Sequence, residues 1–494
     1  MALILLVLVP AAVGTWLVAG GRHLSATVTA RIGLGTAVVA AGLAGEVARS
    51  RPEVDRAWLP SMDVRLHLGV DGIAIPLVLL TAAVGLLVMI HALGEVPTGG
   101  SPSTFIGSLL LVQTGALATF TARDAVLFFV AFELVLVPMW VLIARFGDPH
   151  HPRARADAAA RFLLYTVVGS TLMLVGILLL VTATGTADLD ALTREGADLP
   201  HGQQVLIALL LTIGLAVKVP VFPLHTWLPP AHTTAPTAGS VLLAAVLLKM
   251  GTYGLVRLPL ATVPDGFALI APALAIAGVL GIIWGGLVCL VERDLKRLVA
   301  FSSVAHMGFV VLALATGTAL GLQAALFGNI AHGLVSALLF VIVGGLKSRW
   351  GDVDLAILRP ALRETAPHRG FLLVMGLAAA LGLPGLAVFW GEFFALGAAW
   401  SPERHLSVAL FRTCAVIGAI GAALAAAYCL RVASRVWVGD AVPDLRDVVD
   451  VETRGSERLV LGILALLVLA LGVAPGLLLE PMAPAVAALL GGGT

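Results

Sequence analysis

Residues Thr212 to Arg257 read TIGLAVKVPVFPLHTWLPPAHTTAPTAGSVLLAAVLLKMGTYGLVR, and this stretch decides the fold. It is apolar enough to sit in a bilayer, yet it holds two lysines, two histidines and five prolines. Lys218 and Lys249 each lie inside an apolar run, VKVP and LLKM. A lysine at bilayer depth is costly, so its presence marks a functional position. Pro220, Pro223, Pro229 and Pro230 crowd into a dozen residues. Proline removes a helix hydrogen bond and clashes with the preceding turn, so the span carrying Lys218 is broken there.

Lysine is scarce in this chain. Only Lys218, Lys249, Lys296 and Lys347 are present, and the other 26 of the 30 basic residues are arginine. Arginine in practice never loses its proton, whereas a desolvated lysine can. A site that must be charged, discharged and recharged therefore needs lysine. The alternative for Lys218 and Lys249 is that they snorkel to lipid headgroups.

Composition fixes the class. With 59% hydrophobic residues, 12% charged residues and a mean hydropathy of +1.03, the chain is a polytopic, all-α membrane protein. A net charge of +1 gives no sign of nucleic-acid binding. Cys289, Cys414 and Cys429 lie in apolar runs without a CxxC pair, which argues against a disulfide framework, a zinc site or an iron–sulfur site. Neither a P-loop nor a post-strand GxGxxG is present, so no nucleotide site is expected. The run from Met1 to Gly20 lacks a basic leader and reads as the first span rather than a signal peptide.

Apolar runs predict about fourteen spans, near 1–20, 26–47, 72–93, 104–121, 124–144, 160–182, 203–222, 236–257, 266–290, 297–317, 321–346, 369–399, 405–437 and 458–479. Lipid leaves only helices able to satisfy the backbone there. Eighteen basic residues fall at the odd-numbered loops, including Arg446 and Arg454, against eight at the even-numbered ones. The positive-inside rule then makes the odd loops cytoplasmic and points both termini outward. The second loop breaks the pattern with Arg49, Arg51, Arg56 and Arg65, and reads as an ordered extracytoplasmic hairpin through Val64-Arg65-Leu66-His67-Leu68. A second interruption is expected in the twelfth span at Leu383-Pro384-Gly385. Two discontinuous spans, the seventh and the twelfth, suit two inverted five-helix repeats. The predicted division is 1–103 for spans one to three, 104–257 and 258–438 for the repeats, and 439–494 for a cytoplasmic loop and the last span.

Two carboxylates also sit in apolar surroundings: Glu133 in FFVAFELVLVPMW and Glu392 in VFWGEFFAL. An opposite charge favours the charged form of a buried group, so a Glu–Lys pair makes the lysine's proton affinity depend on where its partner sits. Glu133 is paired with Lys218 on this reading; a static ion pair between helices is the alternative. His306 (SSVAHMG) and His332 (NIAHGL) lie within spans, near Ser302, Ser303, Asn329 and Ser336. Imidazole accepts a proton on one nitrogen and donates from the other, which suits a relay. His225 and His232 lie on the seventh-span break and are expected in the same wet path. A zinc site built on them lacks a third ligand. Asp294, Lys296 and Arg297 form a cluster that either guards an entrance or starts a solvated helix.

At these residues the chain resembles a known family. PLHTWLPPAHTTAPTAGSVLLAAVLLKMGTYGLVR, DLKRLVAFSSVAHMG and FWGEFF are similar to motifs of the antiporter-like subunits of proton-pumping NADH:quinone oxidoreductase, respiratory complex I. Within that group the likeness is to the subunit M, or chain 4, type. It implies that Glu133 is the fifth-span glutamate, Lys218 the broken-helix lysine, Lys249 the eighth-span connecting lysine and Glu392 the residue closing the outer half-channel. The other antiporter-like chains of that complex, and their counterpart in Mrp-type sodium/proton antiporters, usually have lysine at that last position. Where the family often reads LPDAHTEAPT this chain reads LPPAHTTAPT, so Pro230 and Thr234 replace two acidic residues.

The resemblance implies a chain that moves protons through Glu133, Lys218, Lys249, His306, His332 and Glu392, with no cofactor of its own. Its partners would be other membrane-arm subunits, with related antiporter-like chains on both sides. Two rivals are a cation/proton antiporter subunit and the membrane arm of a hydrogenase or formate-oxidising complex. A third, a membrane scaffold, would make the buried charges dispensable.

Overall fold

A computed structural model of the protein describes residues 1–60, 63–357, 359, 361–439, 450–453 and 455–491. Arg446, Arg454 and part of the expected 439–494 segment lie outside the described residues.

The chain opens with α1 (Ala2–Gly20) and α2 (Ala26–Ser50). A two-stranded hairpin, β1 (Val54–Leu59) and β2 (Val64–Leu68), stands between α2 and α3 (Ala74–Ala92). Then come α4 (Pro102–Thr121), α5 (Ala125–Glu133), α6 (Leu136–Phe146), α7 (Pro152–Thr184) and the short α8 (Leu189–Glu195). The central part holds α9 (His201–Lys218), α10 (Leu228–Thr234), α11 (Thr237–Leu242), α12 (Leu248–Leu255), α13 (Pro264–Val291), α14 (Leu295–Ala315) and α15 (Ala319–Trp350). The chain ends with α16 (Leu362–Thr365), α17 (Pro367–Ala380), α18 (Ala387–Trp400), α19 (Val408–Val432), α20 (Gly455–Val473) and α21 (Gly476–Leu489).

Thirteen helical stretches among the described residues are long and apolar enough to cross a membrane, and the split pair α17 and α18 supplies the twelfth of fourteen. Beyond the expected last span, α21 adds a further apolar helix, and Pro481 closes on the backbone at Gly72. Helix starts are written locally. Asp124 accepts from the backbone N–H groups of Val126 and Leu127, Asp294 from Arg297, and Ser25, Ser101, Thr318 and Ser407 act likewise. These side chains satisfy donors that a helix leaves free at its start.

Both expected interruptions are present, and a third was not foreseen. After Lys218 the chain turns through residues 219–227 before α10 begins. The indole Nε1 of Trp227 donates to the Val217 carbonyl at 2.9 Å and so satisfies a group near the break. Residues 381–386 separate α17 from α18, with Gly382 and Gly385 at φ of 75° and 91°, which glycine adopts without strain. The unforeseen one lies between α5 and α6, directly after Glu133. In addition, wide turns at Leu243–Leu247 and Val256–Leu260 flank α12; such bulges often mark functional sites.

Residues Thr237–Leu260, Leu295–Ala315 and Ala319–Trp350 are buried along nearly their whole length. Their polar side chains therefore face protein. The hairpin reads as expected: Asp55 pairs with His67 across it, and Arg65 bonds Asp55 at 2.7 Å. It is pinned by His67, whose Nε2 meets Glu53 at 2.6 Å and whose Nδ1 meets Asp188 at 2.7 Å. The Arg65 N–H also donates to Asp124 at 2.9 Å. Arg49 and Arg65 are thus charges held in local pairs, which explains two of the loop's four arginines.

Candidate functional site

The wide turn at Leu243–Leu247 sits just before Lys249, and the lysine's Nζ donates to the Ala244 carbonyl at 2.8 Å. It also meets Nδ1 of His332 at 2.5 Å. Lys249 is fully buried, so it does not snorkel. Helix α15 can come this close because residue 333 is glycine: a Cβ there would lie 3.0 Å from the Ala245 carbonyl and 3.5 Å from Cε of Lys249.

From His332 the line continues to His306 on α14, with ring centroids 5.7 Å apart. Nδ1 of His306 meets Oε1 of Glu392 at 2.8 Å. Gly391 and Gly328 bring α18 onto α15 here, since a Cβ on Gly391 would lie 2.8 Å from the Gly328 Cα. Among the described residues neither histidine's Nε2 has a hydrogen-bond partner, although both are buried. A cavity of about 10 Å³ lies between His306, His332 and Glu392, close to the room one water needs. Four titratable groups from α12, α15, α14 and α18 thus lie along one buried line, hydrogen-bonded at both ends and joined by facing rings in the middle. Beside it, Thr252 donates to Asn329 at 3.0 Å. Ser302, Ser303 and Ser336 bond carbonyls of their own helices instead.

Lys218 is also buried, and its Nζ has no hydrogen-bond partner among the described residues. The amine stands over the Phe132 ring at 5.0 Å and the Phe162 ring at 5.8 Å. Glu133, which the sequence pairs with Lys218, makes no hydrogen bond to its amine in this structure. The reason is local. Phe132 and Glu133 are successive residues of α5 and so face different ways: Phe132 is buried, while the Glu133 side chain is half-buried.

His232 is wholly buried and stacks on Phe340 with centroids 4.5 Å apart. Neither of its ring nitrogens has a partner among the described residues. His225 stacks on Phe222 at 5.5 Å and meets the edge of Phe301, so its ring is joined to aromatic groups rather than to the line. Among the described residues no group of three His, Cys, Asp or Glu side chains could hold a metal.

The reading of Asp294, Lys296 and Arg297 as a solvated start needs correction for its middle member. Asp294 caps the helix, and Arg297 is half-exposed over Phe301. Lys296 turns inward, is 3% exposed, and donates to the Ala235 carbonyl at 2.5 Å. One helical position decides between the two environments. Nearby Asp148 pairs with Lys347 at 2.6 Å. Burial opposes its ionisation, but Lys347, the His150 N–H and the His151 ring hold its carboxyl at about 2. On the even-loop side Asp71 is also held at about 2 despite burial, because Arg257 and Arg123 surround it.

Helices interrupted at depth around an interior file of Lys, His and Glu define an ion-translocating membrane subunit. Residues 122–418 match the family described as NADH:quinone oxidoreductase/Mrp antiporter, TM. The chain belongs to this family. It is 36% identical over 450 residues to NADH-quinone oxidoreductase subunit M of Rhodobacter capsulatus, covering 88% of this chain and 84% of that one. This agrees with the subunit M type that the resemblance indicated. A chain of respiratory complex I from Thermus thermophilus with bound NADH superposes with a TM-score of 0.87 at 28% identity, covering 100% of both chains. A chain of the Mrp complex from Dietzia sp. DQ12-45-1b gives a TM-score of 0.84 at 26% identity, covering 100% of this chain and 52% of that one.

Proposed function

We propose that this chain is a proton-translocating membrane-arm subunit of an NADH:quinone oxidoreductase. It takes part in the enzyme without redox chemistry of its own, and related antiporter-like subunits flank it. The buried line Lys249–His332–His306–Glu392 carries this reading. A proton on Lys249 passes to Nδ1 of His332 while Nε2 of that ring gives one up toward His306. Nδ1 of His306 then delivers a proton to Glu392. Each imidazole accepts on one nitrogen and releases from the other, so no fixed charge accumulates.

The interrupted helices divide the work. Segment 104–257 supplies Glu133, Lys218 and Lys249, and segment 258–438 supplies the histidines and Glu392. Charge changes in a neighbouring subunit act on the half-buried Glu133, which acts on Lys218 across Phe132. The chain sits in the cytoplasmic membrane with its odd loops inside and both termini outside, as the arginine distribution supports.

The test is to reconstitute the complex in vesicles and compare donor-driven with donor-free ion movement. Proton transport that requires both NADH and quinone supports this function. Sodium-driven proton exchange without an electron donor would favour a secondary antiporter instead.

A further inference from the structure

All four lysines of the chain are either on the interior path or at one cavity. Lys218 and Lys249 lie inside; Lys296 and Lys347 line a cavity of about 340 Å³ on the odd-loop face. Glu95, Asp148, Thr234 and Gly344 share its wall. Lys347 is tied to Asp148 at 2.6 Å, whereas Lys296, buried in the wall, has only a carbonyl to donate to among the described residues. That carbonyl belongs to Ala235, three residues beyond His232. The His232 carbonyl accepts from Ser240 at 3.1 Å, and its ring stacks on Phe340 of α15, the helix that also carries His332. Both ring nitrogens of His232 are buried and unpartnered among the described residues, and the chain directly after it, Thr233–Thr237, lines the cavity.

We propose that Lys296 is the group that loads protons from this cavity and hands them through His232 to Lys249. The step is a plain transfer: the Lys296 ammonium gives its proton to one nitrogen of neutral His232, the other nitrogen gives one to the neutral Lys249 amine, and Lys296 is refilled from the cavity. Lysine is required because the group must release its proton, which arginine does not do. The Asp148–Lys347 pair stands in the same wall. This proposal rests on the proton-translocating reading of the central line.

The experiment measures protons moved per electron by the assembled complex in inverted vesicles, in Lys296→Arg, Lys296→Cys and Lys249→Ala variants. Arginine preserves the charge and the donation to Ala235, so a purely structural role tolerates it. The expected result is that Lys296→Arg falls to the level of Lys249→Ala. The Lys296→Cys variant is expected to be equally low and to recover when 2-aminoethyl methanethiosulfonate appends a primary amine, with reductant reversing the gain. Wild-type stoichiometry in Lys296→Arg, or no recovery of Lys296→Cys by the amine, overturns the proposal. If Lys249→Ala loses stoichiometry while Lys296→Arg does not, only the intake assignment fails. If Lys249→Ala itself keeps full stoichiometry, the reading of the central line fails.

Discussion

Replacing Glu392 with glutamine removes one charge and almost no volume, so it tests electrostatics rather than packing. Oε1 of Glu392 lies 2.8 Å from Nδ1 of His306, and both side chains are buried. A proton arriving on His306 creates an imidazolium whose charge centre lies roughly 4 Å from the carboxylate. At an effective dielectric of about 20 their attraction is about 4 kcal/mol. Moving one charge against about 100 mV takes about 2.3 kcal/mol. The variant therefore loses more than the work of one transfer. The assay follows NADH oxidation and dye-reported acidification of inverted vesicles together. Glu392→Gln is expected to assemble and to lose this subunit's share of protons per electron. An unchanged ratio in a fully assembled complex would refute the electrostatic reasoning.

Three further outcomes follow from separate parts of the fold. Lys218→Arg keeps a cation over Phe132 and Phe162 but cannot discharge, so the complex should assemble and its proton-to-electron ratio should fall; a normal ratio contradicts the discharge role. Burial disfavours charge on His67, but Glu53 and Asp188 prevail and raise its pKa above the ordinary histidine value. Its contribution is therefore full below about pH 6.5 and is lost as pH rises through the folded value. Amide exchange across residues 54–68, corrected for intrinsic rates, should accelerate over that window, and His67→Phe should abolish the dependence. Glu457 receives both Nη2 of Arg369, at 2.7 Å and 2.8 Å, and Nη2 of Arg349, at 2.8 Å. Since Arg369 is fully buried, Glu457→Gln leaves its charge short of a counter-ion and should cost about 3–5 kcal/mol, read as a lower thermal-inactivation midpoint in detergent.

Most of the architecture was legible because hydrocarbon constrains sequence so tightly. Long apolar runs must be helices, and Pro220 to Pro230 and Pro384-Gly385 mark where helices fail. The burial of Lys249, His306, His332 and Glu392 was readable for the same reason, whereas the hairpin at Val64–Leu68 was readable from the loop's excess of arginine. What escaped was geometry without a residue signature. The wide turn at Leu243–Leu247 is built of Leu, Ala and Val, which say nothing of a bulge. The break after Glu133 contains only Leu134 and Val135, which carry no signature of an interruption. The position of the Lys218 amine over Phe132 likewise has no residue signature. Lys296 was misjudged because it stands beside Asp294 and Arg297, where one helical position decides between solvent and core. The scarcity of lysine was the available clue.

The central claim is that protons travel along the buried line from Lys249 to Glu392. Its most direct test is the number of protons moved per electron by the assembled complex carrying Lys249→Met, which keeps side-chain bulk and removes the titrating amine. The account predicts normal assembly with a reduced ratio. A wild-type ratio in that variant would contradict it.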